Sequence, residues 1–180
     1  MKKTDFFRDF GKPVLVLTVI ALIVGILLGA VNYVTEPIIL SNRVKKAEED
    51  RIKALPGAAS FTEIDVSEID AKVTGAFREN SGLGYVFTSV NRGYGGDVTV
   101  TVGLSKTGEI VKVLADVSTE TTGVGSKAGE ENYLSNFTGL SGEEIPVDTI
   151  TNATYSSSAV KTGVKECLKA YSILEKGGAL

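Results

Sequence analysis

Hydroxyl side chains crowd residues 147–158, where Asp148 is followed by Thr149, Thr151, Thr154, Tyr155, Ser156, Ser157 and Ser158. A helical pattern begins directly after this stretch. Val160, Val164, Cys167, Leu168, Tyr171 and Leu174 recur at helical spacing, with Lys161, Lys165 and Lys169 on the opposite side. The start of a helix offers unbonded amides and the positive end of the helix dipole, which suits a phosphate group. Spacing alone leaves two readings open: a seat for a phosphorylated ligand, or a polar loop with Ser156, Ser157 and Ser158 as candidate N-caps. Two glycine-rich stretches, Gly93-Tyr94-Gly95-Gly96 and Glu120-Thr121-Thr122-Gly123-Val124-Gly125, are open in the same way. Each is either a plain turn or a place where backbone closely approaches something bound.

Other chemistry is excluded by composition. The 180 residues contain no histidine, one cysteine and no tryptophan. Ser-His-Asp and Cys-His catalysis, His-ligated zinc or haem, internal disulfides and thiolate-held iron–sulfur clusters therefore have no residues to build them. Cys167 lies on the apolar helix face and reads as a small core residue. A formal charge of −3 without a basic stripe argues against nucleic-acid binding. A redox role needs a borrowed organic cofactor.

The elements that would position these residues follow from periodicity. Strands are expected at 72–79, 84–90, 97–104 and 110–117. The third is the clearest, alternating Val98, Val100, Val102 and Leu104 with threonines, and Lys106-Thr107-Gly108 turns it into the fourth. A helix is expected at 127–137 and another after 158. The result is an α+β domain, a mainly antiparallel sheet packed with helices.

Upstream, residues 14–31 are aliphatic or small except for Thr18, and no charge falls between Lys12 and Glu36. About 20 such residues in a helix rising 1.5 Å each cross the ~30 Å hydrocarbon layer. A cleaved signal peptide has a shorter apolar region, about 7–15 residues, so the run is read as an anchor. Lys2, Lys3, Arg8 and Lys12 precede it, and Arg43, Lys45, Lys46 and Arg51 follow it further away. That distribution leans towards a cytoplasmic N-terminus. Residues 38–55 read as a stalk helix closed by Pro56-Gly57.

Asp148, two intervening residues and then Thr151-Asn152-Ala153-Thr154 resemble the flavinylation motif of the FMN-binding domain found in the G subunit of Rnf complexes and the C subunit of sodium-pumping NADH:quinone oxidoreductases. Asn152 stands where that family usually has glycine, and asparagine is among the non-glycine residues that best tolerate positive φ. Gly93-Tyr94-Gly95-Gly96 and Glu120 to Lys127 resemble two further signatures of the family, in the same order. Thr122 replaces a usual proline.

The resemblance implies FMN esterified through its phosphate to Thr154 by a flavin transferase that recognises Asp148, Thr151, Ala153 and Thr154. It further implies cofactor contacts from Tyr94, Gly95, Glu120, Thr121, Gly123, Val124, Lys127, Thr151, Ala153 and Ser156, with no metal and no catalytic side chain. The implied layout is a cytoplasmic N-terminus at 1–12, a transmembrane helix at 13–35, a stalk at 36–57 and an extracytoplasmic FMN-binding domain at 58–180. The implied role is an electron relay in a membrane ferredoxin:NAD oxidoreductase that moves sodium ions or protons, with the other subunits as partners. The chain is then part of an enzyme only as a subunit. Alternatives are the quinone-reductase counterpart, a stand-alone tethered flavoprotein and an anchored binding domain without cofactor; the compact length favours the Rnf type.

Overall fold

The computed structural model describes residues 11–67, 69–142 and 144–178, which divide into two compact units, one ending at Ala47 and the other beginning at Glu48. Helix α1, Lys12–Ala54, is continuous, so the expected membrane and stalk segments fall on one helix that carries Pro37 in its interior. In the most apolar 18-residue window of α1 no residue is buried. Leu15, Leu22, Ile26 and Leu28 all face outward, and a bilayer is the solvent in which such a surface is stable. The Thr18 and Thr35 hydroxyls donate to Val14 O at 2.8 Å and Val31 O at 2.5 Å, so neither is left unbonded in an apolar medium. Lys2, Lys3 and Arg8, with the rest of 1–10, lie outside the described residues.

The second unit is a five-stranded antiparallel meander in the order β1-β2-β3-β4-β5: Phe61–Ile64, Val73–Glu79, Gly84–Arg92, Asp97–Ser105 and Ile110–Asp116. Four strands lie within a few residues of their expected positions. The first was not expected: Phe61-Thr62-Glu63-Ile64 is too short to show alternation and exists through its pairing with Ala76–Glu79. The β4–β5 turn closes with Ser105 N–H on Glu109 O at 2.9 Å, and Gly108 supplies the required φ of 77°.

One sheet face receives the long C-terminal helix, Thr154–Lys176. Val98, Val100, Val102 and Leu104 of β4 are fully buried and share a core with Val160, Val164, Cys167 and Leu168 of that helix. Burial of each such side chain contributes about 1.5–3 kcal/mol. The close approach depends on Gly163, where a Cβ would stand 2.7 Å from Val100 Cγ2 and 2.8 Å from Ser89 Oγ. The other face has a smaller core of Ala54, Leu55, Ala58 and Val86, and the missing Cβ of Gly103 leaves the space that Ala54 O occupies.

The helix expected at 127–137 is broken into a 3-10 turn at Gly125–Gly129, the four-residue helix α2 at Glu131–Leu134 and a second 3-10 turn at Ser135–Phe137. The interruption is Glu130, extended at φ −75° and ψ 144°. Its reason is packing. Gly129 lies where a Cβ would be 2.6 Å from Val117 Cγ2, so the chain hugs the end of β5 instead of coiling regularly. The C-terminal helix is α3 hereafter.

Candidate functional site

The register of β3 on β4 ends with Arg92 opposite Asp97, so residues 93–96 form the connecting turn, closed by Gly93 N–H on Gly96 O at 2.8 Å. The segment leaving β5 runs alongside, with the Thr119 hydroxyl donating to Asp97 O at 3.1 Å. Contact between them is backbone-close. A Cβ on Gly95 would overlap Thr119 O, and one on Gly93 would overlap Glu120 Oε1. Side chains are absent at both positions because there is no room for them.

Glu120 is buried, with 6% of its surface exposed. Its Oε1 accepts Gly95 N–H at 3.0 Å and Gly96 N–H at 3.2 Å; its Oε2 accepts Tyr94 N–H at 3.2 Å and a short bond from the Ser156 hydroxyl. Burial pushes the carboxyl up, but the Ser156 hydroxyl and the three amides outweigh it and hold the group below the usual carboxylate range. The glycine-rich turn, the Glu120 segment and the start of α3 are thereby joined at one carboxylate.

The approach to α3 is laced by Ser157. Its hydroxyl accepts Ile150 N–H at 3.0 Å and donates to Ala153 O at 2.8 Å, while Ala153 N–H bonds Ile150 O at 3.0 Å. The expectation of serine N-caps is corrected: the N-cap is Ala153, without a side-chain cap bond, and Ser156 and Ser157 are buried inside the first turn. Their hydroxyls are taken by Glu120 and by the preceding loop. Asn152 stands at φ 68°, in the left-handed region that asparagine tolerates better than most non-glycine residues. Ser157 N–H makes a bond to Ala153 O at 2.9 Å, so the amides of Thr154, Tyr155 and Ser156 precede the first intrahelical bonds and point out of the helix start.

These three segments surround a cleft of about 400 Å³, within the range of small-molecule sites. Thr154 opens into it and is exposed. Tyr94 and Tyr155, each 72% exposed, line it with ring centroids 6.3 Å apart and planes at 46°. Val124 and Ala153 add apolar surface; Thr121, Asn152 and Ser156 add polar atoms. Paired aromatic rings beside a helix start and a free hydroxyl fit a flat conjugated ring with a phosphate arm, which is the shape of FMN.

Of the residues expected at the cofactor, Tyr94, Thr121, Val124, Ala153, Thr154 and Ser156 line the cleft. Gly95 lies behind it under Thr119, Gly123 supplies a turn at φ 79°, and Glu120 sits beneath. Lys127, Thr151 and Asp148 are not among its lining residues; Thr151 is exposed on the loop before Thr154. Tyr155 and Asn152 line the cleft without having been assigned a contact. For Tyr155 the signal was available: it follows Thr154 at the helix start, so a ligand tethered there must pass it.

A model of the FMN-binding domain matches residues 93–169, from the glycine-rich turn through most of α3. The chain is 30% identical over 190 aligned residues to the G subunit of the Na(+)-translocating ferredoxin:NAD(+) oxidoreductase complex of Acetobacterium woodii, covering 90% of this chain and 91% of that one. It is 26% identical over 165 residues to the G subunit of the proton-translocating ferredoxin:NAD(+) oxidoreductase complex of Clostridium ljungdahlii, covering 85% and 86%.

Proposed function

Because the chain belongs to the G-subunit family of Rnf-type ferredoxin:NAD(+) oxidoreductase complexes, we propose that it is the membrane-anchored electron-relay subunit of such a complex, with FMN esterified to Thr154. The observation that carries the site assignment is the position of Thr154: an exposed hydroxyl on the first residue of α3, opening into a cleft flanked by Tyr94 and Tyr155. When bound, FMN accepts electrons in pairs and releases them singly, joining one-electron to two-electron carriers.

The chain's own residues have defined tasks in this reading. Thr154 Oγ holds the phosphate as an ester, formed with net loss of one water relative to free FMN. The amides at the start of α3 face its negative charge. Tyr94 and Tyr155 flank the ring and exclude water from part of its surface. Asp148 and Thr151, close in sequence to the attachment residue, serve recognition by a flavin transferase. The tether keeps the cofactor from dissociating, which matters most if the domain faces away from the cytoplasm, the orientation that we assign from the flanking charges. Helix α1 confines the domain to the membrane surface, where the partner subunits lie.

The test is Thr154→Ala in the full chain, assayed in membranes. The other subunits should still copurify, while electron transfer from reduced ferredoxin to NAD(+) and the coupled ion uptake are lost. Full activity in that variant would refute the relay role.

A further inference from the structure

We propose that Glu120 is a positioning residue that sets the opening between Tyr94 and Tyr155 without itself touching the bound FMN. The proposal rests on the reading of the cleft as the FMN site. Glu120 is absent from the residues that line the cleft, yet its carboxylate bonds both segments that carry the two rings. Oε2 takes the amide of Tyr94 itself and the hydroxyl of Ser156, the neighbour of Tyr155. Oε1 takes the next two amides of the same turn, Gly95 and Gly96. One rigid group therefore fixes both sides of the cleft.

The surroundings are shaped for that group. A Cβ on Gly93 would overlap Glu120 Oε1, and one on Gly125 would stand 3.0 Å from Oε2. The same missing Cβ on Gly125 would meet Ser156 Oγ at 2.6 Å, so the hydroxyl also needs that space. Four donors converge on two oxygens, an arrangement that an ionised carboxylate satisfies without a conflict. A glutamine offers one acceptor oxygen and a donor nitrogen. With its oxygen towards Gly95 and Gly96, its nitrogen faces the Tyr94 amide donor to donor, although the Ser156 hydroxyl can reverse and accept.

Glu120→Gln in the full chain in detergent micelles separates this role from a merely structural one. Hydrogen exchange over residues 94–96 reads the clamp in flavin-free protein; visible circular dichroism of the bound flavin reads the geometry of the cleft. The expected result is about ten-fold faster exchange at Tyr94, the equivalent of one lost hydrogen bond, together with a reduced flavin dichroism. Ser156→Ala keeps the amide bonds and should alter the dichroism while leaving exchange at Gly95 and Gly96 close to native. Val102→Ala, a core change away from the cleft, should lower the unfolding temperature and move neither readout. Native exchange in Glu120→Gln overturns the proposal, as does faster exchange with unchanged dichroism. A native chain that carries no flavin overturns the functional reading instead, and the exchange comparison then decides the clamp alone.

Discussion

Asn152 is the one non-glycine residue with positive φ among those described, at 68°. An ordinary L-residue in the left-handed region costs roughly 1–2 kcal/mol, because Cβ crowds the neighbouring backbone. Asparagine tolerates it better than other side chains. The Asn152 side chain is exposed, so its replacement loses little packing. Asn152→Ala should therefore cost about 1 kcal/mol. Asn152→Gly removes the steric penalty but adds unfolded-chain freedom worth about 0.4–1 kcal/mol, so its net effect should be near zero. For a unit of this size about 1 kcal/mol corresponds to about 2–8 °C in unfolding temperature. Thermal unfolding of the full chain in micelles, followed by circular dichroism, should rank native and Asn152→Gly together and Asn152→Ala several degrees lower. Because the residue lines the cleft beside Thr154, flavin loading should follow the same order. An alanine variant as stable as native, or a glycine variant that falls as far as alanine, would refute the reasoning.

Three further outcomes follow from the packing and the titratable groups. Glu79, buried at the β2–β3 turn, accepts Leu83 N–H at 3.0 Å and the Ser81 hydroxyl at 2.7 Å, which lower its pKa to about 2. A depressed carboxylate stabilises the fold above its unfolded pKa near 4.5 and loses that contribution as pH falls towards 2. The unfolding temperature should thus drop over that window, and drop less steeply in Glu79→Gln. Gly163→Ala should destabilise by about 1–3 kcal/mol through overpacking against Val100 and Ser89, measurable by the same melts. Cys167 is fully buried, and burial pushes its thiol up to about 12; a maleimide should leave it unlabelled in the folded chain and label it on denaturation.

The strongly periodic parts of this protein were readable from its residues. The alternation in β4 and the apolar stripe of α3 are each set by which side chains must be buried, and both appear in the predicted places. The family was readable because three short signatures of residue types follow one another in a fixed order. Four features of the fold and the cleft were not. β1 exists through pairing with β2, a non-local cause that four residues cannot advertise. The break at Glu130 comes from the fit of Gly129 against Val117, and helical composition across 127–137 hid it. Glu120 was expected to contact the cofactor, and its segment does line the cleft at Thr121 and Val124; only the fold reveals that its carboxylate turns inward to the amides of 94–96. Serine density at the start of α3 suggested caps, whereas Ser156 and Ser157 lie inside its first turn and serve bonds that reach to Glu120 and Ile150.

The central claim is that Thr154 carries FMN covalently, and intact mass with in-gel flavin fluorescence of the denatured chain, produced alongside a flavin transferase, tests it most directly. The account predicts a mass increment of one FMN less one water and a fluorescent band for the native sequence, both absent from Thr154→Ala. A native chain of unmodified mass, or a Thr154→Ala variant that keeps its fluorescence after denaturation, would contradict it.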